Sequence, residues 1–175
     1  MSNIIVDVEA DGPAPGLYSM VSFGAVVLSE DLNKTFYGQL KPIEEADWIP
    51  TALQVSGHSR SEVLTFPNPE TTMREFAEWI EVNCKGRPIF WADNNGFDWQ
   101  YINYYFHRYY GSNPFGFSSQ NINSLYKGIT RDLYASFKHL RKTKHTHHPV
   151  DDAKGNAEAL LAMRDTKRLK ISVDK

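Results

Sequence analysis

The chain has 175 residues and a formal net charge of −2, and 41% of its residues are hydrophobic. This length suits a single domain with its own core, which we predict over residues 1–175. The slightly acidic balance argues against a general affinity for nucleic acid. No apolar run approaches the ~20 residues of a membrane span, so no membrane association is expected. Cys84 is the single cysteine, which excludes an intramolecular disulfide, and without a secretory signal we expect a cytoplasmic protein.

Two acids interrupt the first predicted strand. Residues 4–8 are rich in β-branched side chains, which favour a buried strand. Asp7 and Glu9 lie two positions apart, so both project from the same face. Two carboxylates ~4 Å apart repel by ~4 kcal/mol at an effective dielectric of ~20. A divalent cation relieves that repulsion, and oxygen ligands favour magnesium or manganese. The alternative is a strand end that reaches solvent before the Gly/Pro turn at residues 12–16.

Hydrophobic periodicity predicts further strands and helices in chain order. The remaining predicted strands cover residues 20–28, 33–40, 87–92 and 115–123. Helices are predicted over residues 51–55, 59–64, 69–84, 98–110 and part of 125–140, and from Pro149 onwards. The predicted helix at 69–84 has Asn68 as its cap and Gly86 as its stop. Three strands followed by alternating helices and strands predict an α/β fold, a mixed sheet of about five strands with helices on both faces.

The predicted helix at 98–110 carries an unusual run of aromatic residues. We expect Trp99, Ile102, Phe106 and Tyr109 to form its buried side. Such a run favours packing in a core or at a subunit interface over base stacking. A homodimer or a higher homo-oligomer is therefore an open alternative.

Acids recur at two later helix starts. Asp98 follows the strand at 87–92 across a turn, which by itself is common for a helix-entry aspartate. Asp151 and Asp152 open the last helix, where the helix dipole favours acids anyway, and periodicity does not choose between them. Four histidines precede this pair, at positions 139, 145, 147 and 148. The basic segment that holds them, with Lys138, Arg141, Lys142 and Lys144, could contact phosphates or form a solvated loop.

Together these positions resemble the three motifs of the DEDDh exonucleases, a group of the DnaQ-like, ribonuclease-H-like superfamily. The matching segments are, in order, Asp7-x-Glu9, Asn94-x-x-Phe97-Asp98 and His147-x-x-x-x-Asp152. The resemblance covers roughly residues 3–165, and the segments at 90–92 and 147–153 look most like the RNase AS branch of single-domain exoribonucleases. Ala10-Asp11-Gly12 departs from the threonine-containing turn of many members, and Pro149 replaces a commoner alanine.

The resemblance implies a ribonuclease-H-like fold and hydrolysis of single-stranded nucleic acid from its 3′ end to nucleoside 5′-monophosphates. It implies two Mg²⁺ or Mn²⁺ ions per site, held by Asp7, Glu9, Asp98 and Asp152. His147 would be the general base, a role that suits histidine because its charge changes near neutral pH. We expect substrate contacts from Ala10, Asp11, Gly12 and Asn94.

Three alternatives remain at this point. RNA is the expected substrate and DNA the alternative. The motifs are the same for exonucleases that act on either one, because the two substrates are distinguished by contacts to the 2′-hydroxyl. A catalytically silent nucleic-acid-binding module would be expected to have lost at least one acid. A ribonuclease-H-like endonuclease needs a similar acid cluster, but His147 five residues before Asp152 favours the exonuclease.

Overall fold

We describe residues 1–167 and 169–174 of a computed structural model of the chain. Within these residues, five strands form one sheet in the order β3-β2-β1-β4-β5. The strands are β1 (Ser2–Ala10), β2 (Met20–Val27), β3 (Thr35–Gln39), β4 (Pro88–Ala92) and β5 (Ser119–Asn121). The helices are α1 (Pro50–Val55), α2 (Arg60–Val63), α3 (Pro69–Asn83), α4 (Asn95–Tyr109), α5 (Ile122–Thr130) and α6 (Pro149–Lys167), with a 3₁₀ turn at Lys138–Leu140.

The sheet is mixed, as predicted from the order of the elements. β1, β2 and β3 form an antiparallel meander, whereas β4 runs parallel to β1, and β5 runs parallel to β4. A meander needs only short turns, whereas each parallel step needs a crossover, here supplied by α3 and α4. None of the helices described is both long enough and apolar enough to cross a membrane.

The period-two alternation of β1 divides the interior between two faces of the sheet. Ile4, Val6 and Val8 belong to a core cluster with residues of α3 and α4, whereas Ile5 packs with residues of α5 and α6. Asp7 and Glu9 share the face of Ile5 because side chains alternate along a strand. The two acids therefore project towards α6, which packs across β1 and β2.

β1 and β4 separate at the end of the sheet that carries the acids. Their parallel pairing extends from Ser2↔Pro88 to Ile5↔Trp91. Further along β1, the Val8 N–H donates instead to Asp98 Oδ1 of α4, over 3.0 Å. The first turn of α4 thus lies at the carboxyl ends of two parallel strands, which is where α/β sheets commonly bind ligands.

The helix boundaries depart from the predictions at α3, α4 and α5, and α5 begins at Ile122, inside the strand predicted over residues 115–123. α4 begins at Asn95, so Asp98 lies inside its first turn, and Tyr101 and Tyr105 are buried where Trp99 and Tyr109 are only partly so. Aromatic residues occupy both sides of this helix, so periodicity could not identify the buried one. α3 ends at Asn83, before the predicted stop, because the backbone is already extended at Cys84, with φ −103° and ψ 143°.

Gly24 on β2 gives a test of how closely α6 approaches the sheet. A Cβ at Gly24 would lie 2.3 Å from the carbonyl carbon of Pro149 and 2.3 Å from the nitrogen of Val150. These are backbone atoms, which cannot rotate away as a side chain can. We predict that Gly24→Ala lowers the free energy of unfolding by about 1–3 kcal/mol, as overpacking does, in urea denaturation.

Gly128→Ala is the matched control for this substitution. Gly128 lies inside α5, and nothing approaches within 4 Å of the Cβ that alanine would add there. Alanine is the better helix former by about 1 kcal/mol, so this variant should be as stable as the wild type or more so. Equal losses of stability in both variants would contradict the close contact between β2 and α6.

Candidate active site

Three carboxylates meet where the first turn of α6 crosses β1. The carboxylate oxygens of Asp7, Glu9 and Asp152 lie within 4.8 Å of one another. Asp152 is 1% exposed and Glu9 is 9% exposed. Asp151 is partly exposed and its Oδ2 accepts a hydrogen bond from the Thr146 hydroxyl over 3.2 Å. The docking of α6 therefore places Asp152, and not Asp151, with the acids of β1.

Asp98 is a fourth acid beside these three, and it is 3% exposed. Its Oδ1 accepts a hydrogen bond from the Val8 N–H, which leaves Oδ2 as a ligand for a metal ion. Its negative charge contributes to raising the pKa of Asp7, second only to burial. The structure therefore brings all four predicted metal ligands to one end of the sheet, with Asp98 adjoining the cluster of three.

The pKa values of these acids show the electrostatic cost of the arrangement. Burial raises the pKa of Asp7 well above its usual range, and the charges of Asp98, Glu9 and Asp152 raise it further, opposed by Arg141. Burial, with Asp152 second, raises the pKa of Glu9 to about 7. A set of carboxylate oxygens that resist ionisation together is the donor set that a hard divalent cation stabilises. The residues present therefore fit Mg²⁺ or Mn²⁺.

Two histidines of the preceding loop face the same acids. His147 has its Nδ1 3.9 Å from Glu9 Oε1, and its side chain is 48% exposed. His145 has its Nδ1 2.7 Å from Asp152 Oδ1, a contact that the sequence analysis did not predict. The His148 ring instead lies against Tyr37 of β3, with ring centroids 4.8 Å apart. Residues two apart share a side only in extended chain, and His147 has a φ of 61°, so the spacing of 145 and 147 did not predict this contact.

The loop that carries these histidines is bound at both of its ends. At its start, the backbone N–H groups of Lys142 and Thr143 each donate to Glu158 Oε2 over 2.7 Å. At its end, the His147 N–H donates to Asp152 Oδ2 over 3.0 Å. Arg141 is largely buried, with its guanidinium 3.1 Å from Asp93 Oδ2. It is thus an internal anchor of the loop and not an exposed basic residue as predicted.

Residues 2–163 match the family described as the 3′-5′ exoribonuclease Rv2179c-like domain. The chain belongs to this family. The 3′-5′ DNA exonuclease Cap18 of Escherichia coli is 39% identical to this chain, in an alignment that covers 98% of this chain and 91% of that protein. The resemblance to 3′→5′ exonucleases is therefore confirmed.

Solved structures show that the fold is that of DEDDh, ribonuclease-H-like exonucleases. The nuclease domain of 3′hExo, a DEDDh family member bound to rAMP, has a TM-score of 0.78 and 16% identity, over 99% of this chain and 97% of that one. Exonuclease I of E. coli in complex with a dA16 oligonucleotide has a TM-score of 0.73 and 15% identity, over 94% of this chain and 41% of that one. DEDDh exonucleases depend on divalent metal ions, and the acid cluster of this Rv2179c-like domain is suited to hold one.

Two of the predicted substrate residues, Asp11 and Gly12, lie in the turn after β1. Asp11 is fully buried, with Oδ1 accepting from the Ser19 N–H over 2.6 Å and Oδ2 3.2 Å from the Arg60 guanidinium. The Gly12 carbonyl accepts from the Tyr101 hydroxyl over 2.7 Å. These groups shape the turn after β1, so they are already engaged inside the protein.

The other two predicted substrate residues differ from each other in exposure. Ala10 is nearly buried at the end of β1. Asn94, the N-cap residue of α4, is exposed and makes no side-chain cap hydrogen bond. Of the predicted substrate contacts, Asn94 is therefore the one whose side chain is presented at the surface near Asp98.

The raised pKa of Glu9 predicts how the stability of the metal-free protein depends on pH. At pH values between the ordinary pKa of 4.5 and about 7, Glu9 keeps a proton in the folded protein that it has lost in the unfolded chain. The contribution of Glu9 to stability is therefore complete below the ordinary pKa, falls as the pH rises through this window, and is flat above it. Melting temperatures measured in EDTA from about pH 5 to pH 8 test this.

Glu9→Gln is the control, because it removes the titrating group and keeps nearly the same shape. The difference in melting temperature between the variant and the wild type should therefore change across the window. Magnesium should raise the wild-type melting temperature more at the high end, since it binds the ionised acids. An equal effect of magnesium at both ends would contradict binding at carboxylates that ionise in this window.

Proposed function

We propose that this Rv2179c-like domain hydrolyses single-stranded nucleic acid from its 3′ end to nucleoside 5′-monophosphates, by a two-metal-ion mechanism with a histidine general base. The cluster of Asp7, Glu9 and Asp152 beside Asp98 and His147 is the observation that carries the proposal. Residues 1–175 form a single exonuclease domain in this proposal. A homodimer or higher homo-oligomer and a cytoplasmic location remain predictions.

The four acids would divide between two divalent ions, Mg²⁺ or Mn²⁺. Asp7, Glu9 and Asp152 would hold one, and Asp7 would share the second with Asp98. Two such ions, when bound, stabilise both the attacking and the leaving oxygens of an in-line displacement. Burial of the acids supports this assignment. It raises the pKa of Asp7 and Glu9, so their ionised forms are unfavourable unless a bound cation stabilises them.

His147 would accept the proton of the attacking water. Its imidazole lies at the rim of the acid cluster and is half exposed, so it can reach both the water and bulk solvent. Its backbone N–H is bound to Asp152, which fixes the loop relative to the acids. The same hydrogen bond relates the position of the base to that of a metal ligand.

RNA is the first candidate substrate and DNA the second. The description of the family as an exoribonuclease domain supports RNA, and the name of Cap18, a DNA exonuclease, supports DNA. Lys138, Lys142 and Lys144 are exposed near the histidine loop and would contact phosphates of either strand. Contacts to the 2′-hydroxyl would decide between them.

A comparison of 5′-labelled RNA and DNA of equal sequence tests the proposal. Incubation with magnesium should shorten the strands one nucleotide at a time from the 3′ end, and EDTA should stop the reaction. RNA should shorten faster than DNA. Products cut at internal positions would identify an endonuclease, and full activity in EDTA would contradict the two-metal mechanism.

The base assignment predicts different outcomes for two neighbouring histidines. His147→Ala should lower the maximal rate by about 10²–10⁴-fold, as loss of a general base does, while magnesium still raises the melting temperature. His148→Ala should change the rate far less, because that ring lies against Tyr37. Rates at saturating substrate and magnesium measure both. A defect in His148→Ala with a normal His147→Ala would overturn the assignment.

The two adjacent aspartates of α6 provide a second matched pair. Asp152→Asn should be nearly inactive because it removes a proposed metal ligand, whereas Asp151→Asn should be mild. Both substitutions remove one acid from the first turn of the same helix, so their effects on the helix dipole are alike. Single-turnover rates and magnesium titrations compare them, and a stronger defect at Asp151 would show that the motif lies one residue earlier.

A further inference from the structure

A second set of possible metal ligands lies next to the acid cluster and shares one residue with it. The imidazole nitrogens of His145 and His147 and a carboxylate oxygen of Asp152 lie within 4.8 Å of one another. The two rings are inclined to each other by 65°, with centroids 4.2 Å apart. His145 Nδ1 lies 2.7 Å from Asp152 Oδ1, although the proposed hydrolysis gives His145 no role.

The backbone of the loop is shaped around the Asp152 carboxylate. His147 has φ 61°, in the left-handed region that few residues other than glycine adopt. The N–H groups of Thr146 and His147 both donate to Asp152, over 3.2 Å and 3.0 Å. This turn brings both imidazoles to one carboxylate, while His148 lies against Tyr37. The arrangement is thus specific to His145 and His147.

The donor atoms of this set differ in kind from those of the acid cluster. Magnesium prefers oxygen, whereas imidazole nitrogen suits zinc and similar transition ions. Zinc sites with three protein ligands, such as two histidines and a carboxylate, keep a fourth position open for water. Bonds of about 2.0–2.1 Å around a tetrahedral ion place its ligand atoms about 3.4 Å apart. His145 and His147, 52% and 48% exposed, can rotate to close the remaining distance.

We propose that His145, His147 and Asp152 form a transition-metal site, with zinc as its ion, whose occupation stops the exonuclease. Zinc there would bind an imidazole nitrogen of His147, the proposed base, and would withdraw Asp152 from the magnesium ligands. The binding stands on the donor set alone. The inhibition rests on the proposed function, because it requires that His147 and Asp152 work in hydrolysis.

Calorimetric titration of zinc chloride into the untagged full chain, in excess magnesium, tests the binding. The wild type should bind one zinc ion at this site. His145→Ala should weaken the binding by about tenfold or more, since even a residue that only supports a metal ligand contributes 10–100-fold. His148→Ala is the matched control and should bind zinc as the wild type does. Thermal melting first establishes that each variant is folded.

Asp7→Asn separates this site from the acid cluster. Asp7 belongs to the proposed magnesium ligands and not to the histidine set, so the variant should retain zinc binding. Zinc binding that is lost in Asp7→Asn and kept in His145→Ala would place the ion among the acids and overturn the proposal. A wild type that binds no zinc would overturn it as well.

Inhibition is measured with the labelled strands in excess magnesium. Micromolar zinc should stop the wild type, and His145→Ala should keep its magnesium-driven rate and resist zinc. Equal inhibition of both proteins would refute control through this site. If the wild type hydrolyses neither strand in magnesium, the proposed function fails, while the calorimetric comparison still decides whether the metal site exists.

Discussion

Repulsion between buried carboxylates is the constraint on which the rest of this structure depends. The fold brings Asp7, Glu9 and Asp152 within 4.8 Å of one another, and burial raises the pKa of Asp7 and Glu9. The packing of α6 against the sheet, which is close at Gly24, holds the acids together despite this repulsion, and the charge of Arg141 opposes it at Asp7. A cation bound by the acids would offset the same repulsion, so metal binding and folding are linked.

Asp152 connects the acids to the loop that carries the histidines. Its two oxygens accept from the backbone N–H groups of Thr146 and His147, and His145 lies beside one of them. An ion that binds the Asp152 carboxylate would therefore also affect the position of His147, the proposed base. The hydrogen bonds of Glu158 at the other end of the loop limit how far it can move.

Much of the sheet and of the acid cluster could be predicted from the sequence, because period-two alternation places Asp7 and Glu9 on one face of β1. Periodicity could not choose between Asp151 and Asp152, since the choice depends on how α6 docks onto the sheet, and Asp152 was predicted only from the resemblance to the exonuclease motifs. Trp99 was predicted to be buried on α4 but is only partly buried, because aromatic residues occupy both sides of that helix and periodicity could not identify the buried one. The contact of His145 depends on the left-handed backbone of His147, which no local pattern reveals.

Anomalous diffraction from crystals grown with manganese and a nucleoside 5′-monophosphate tests the central claim most directly. If the buried acids are a two-metal site, anomalous density will lie among Asp7, Glu9 and Asp152, with a second peak between Asp7 and Asp98. Manganese bound elsewhere, with the acids protonated and paired to one another, would contradict the account.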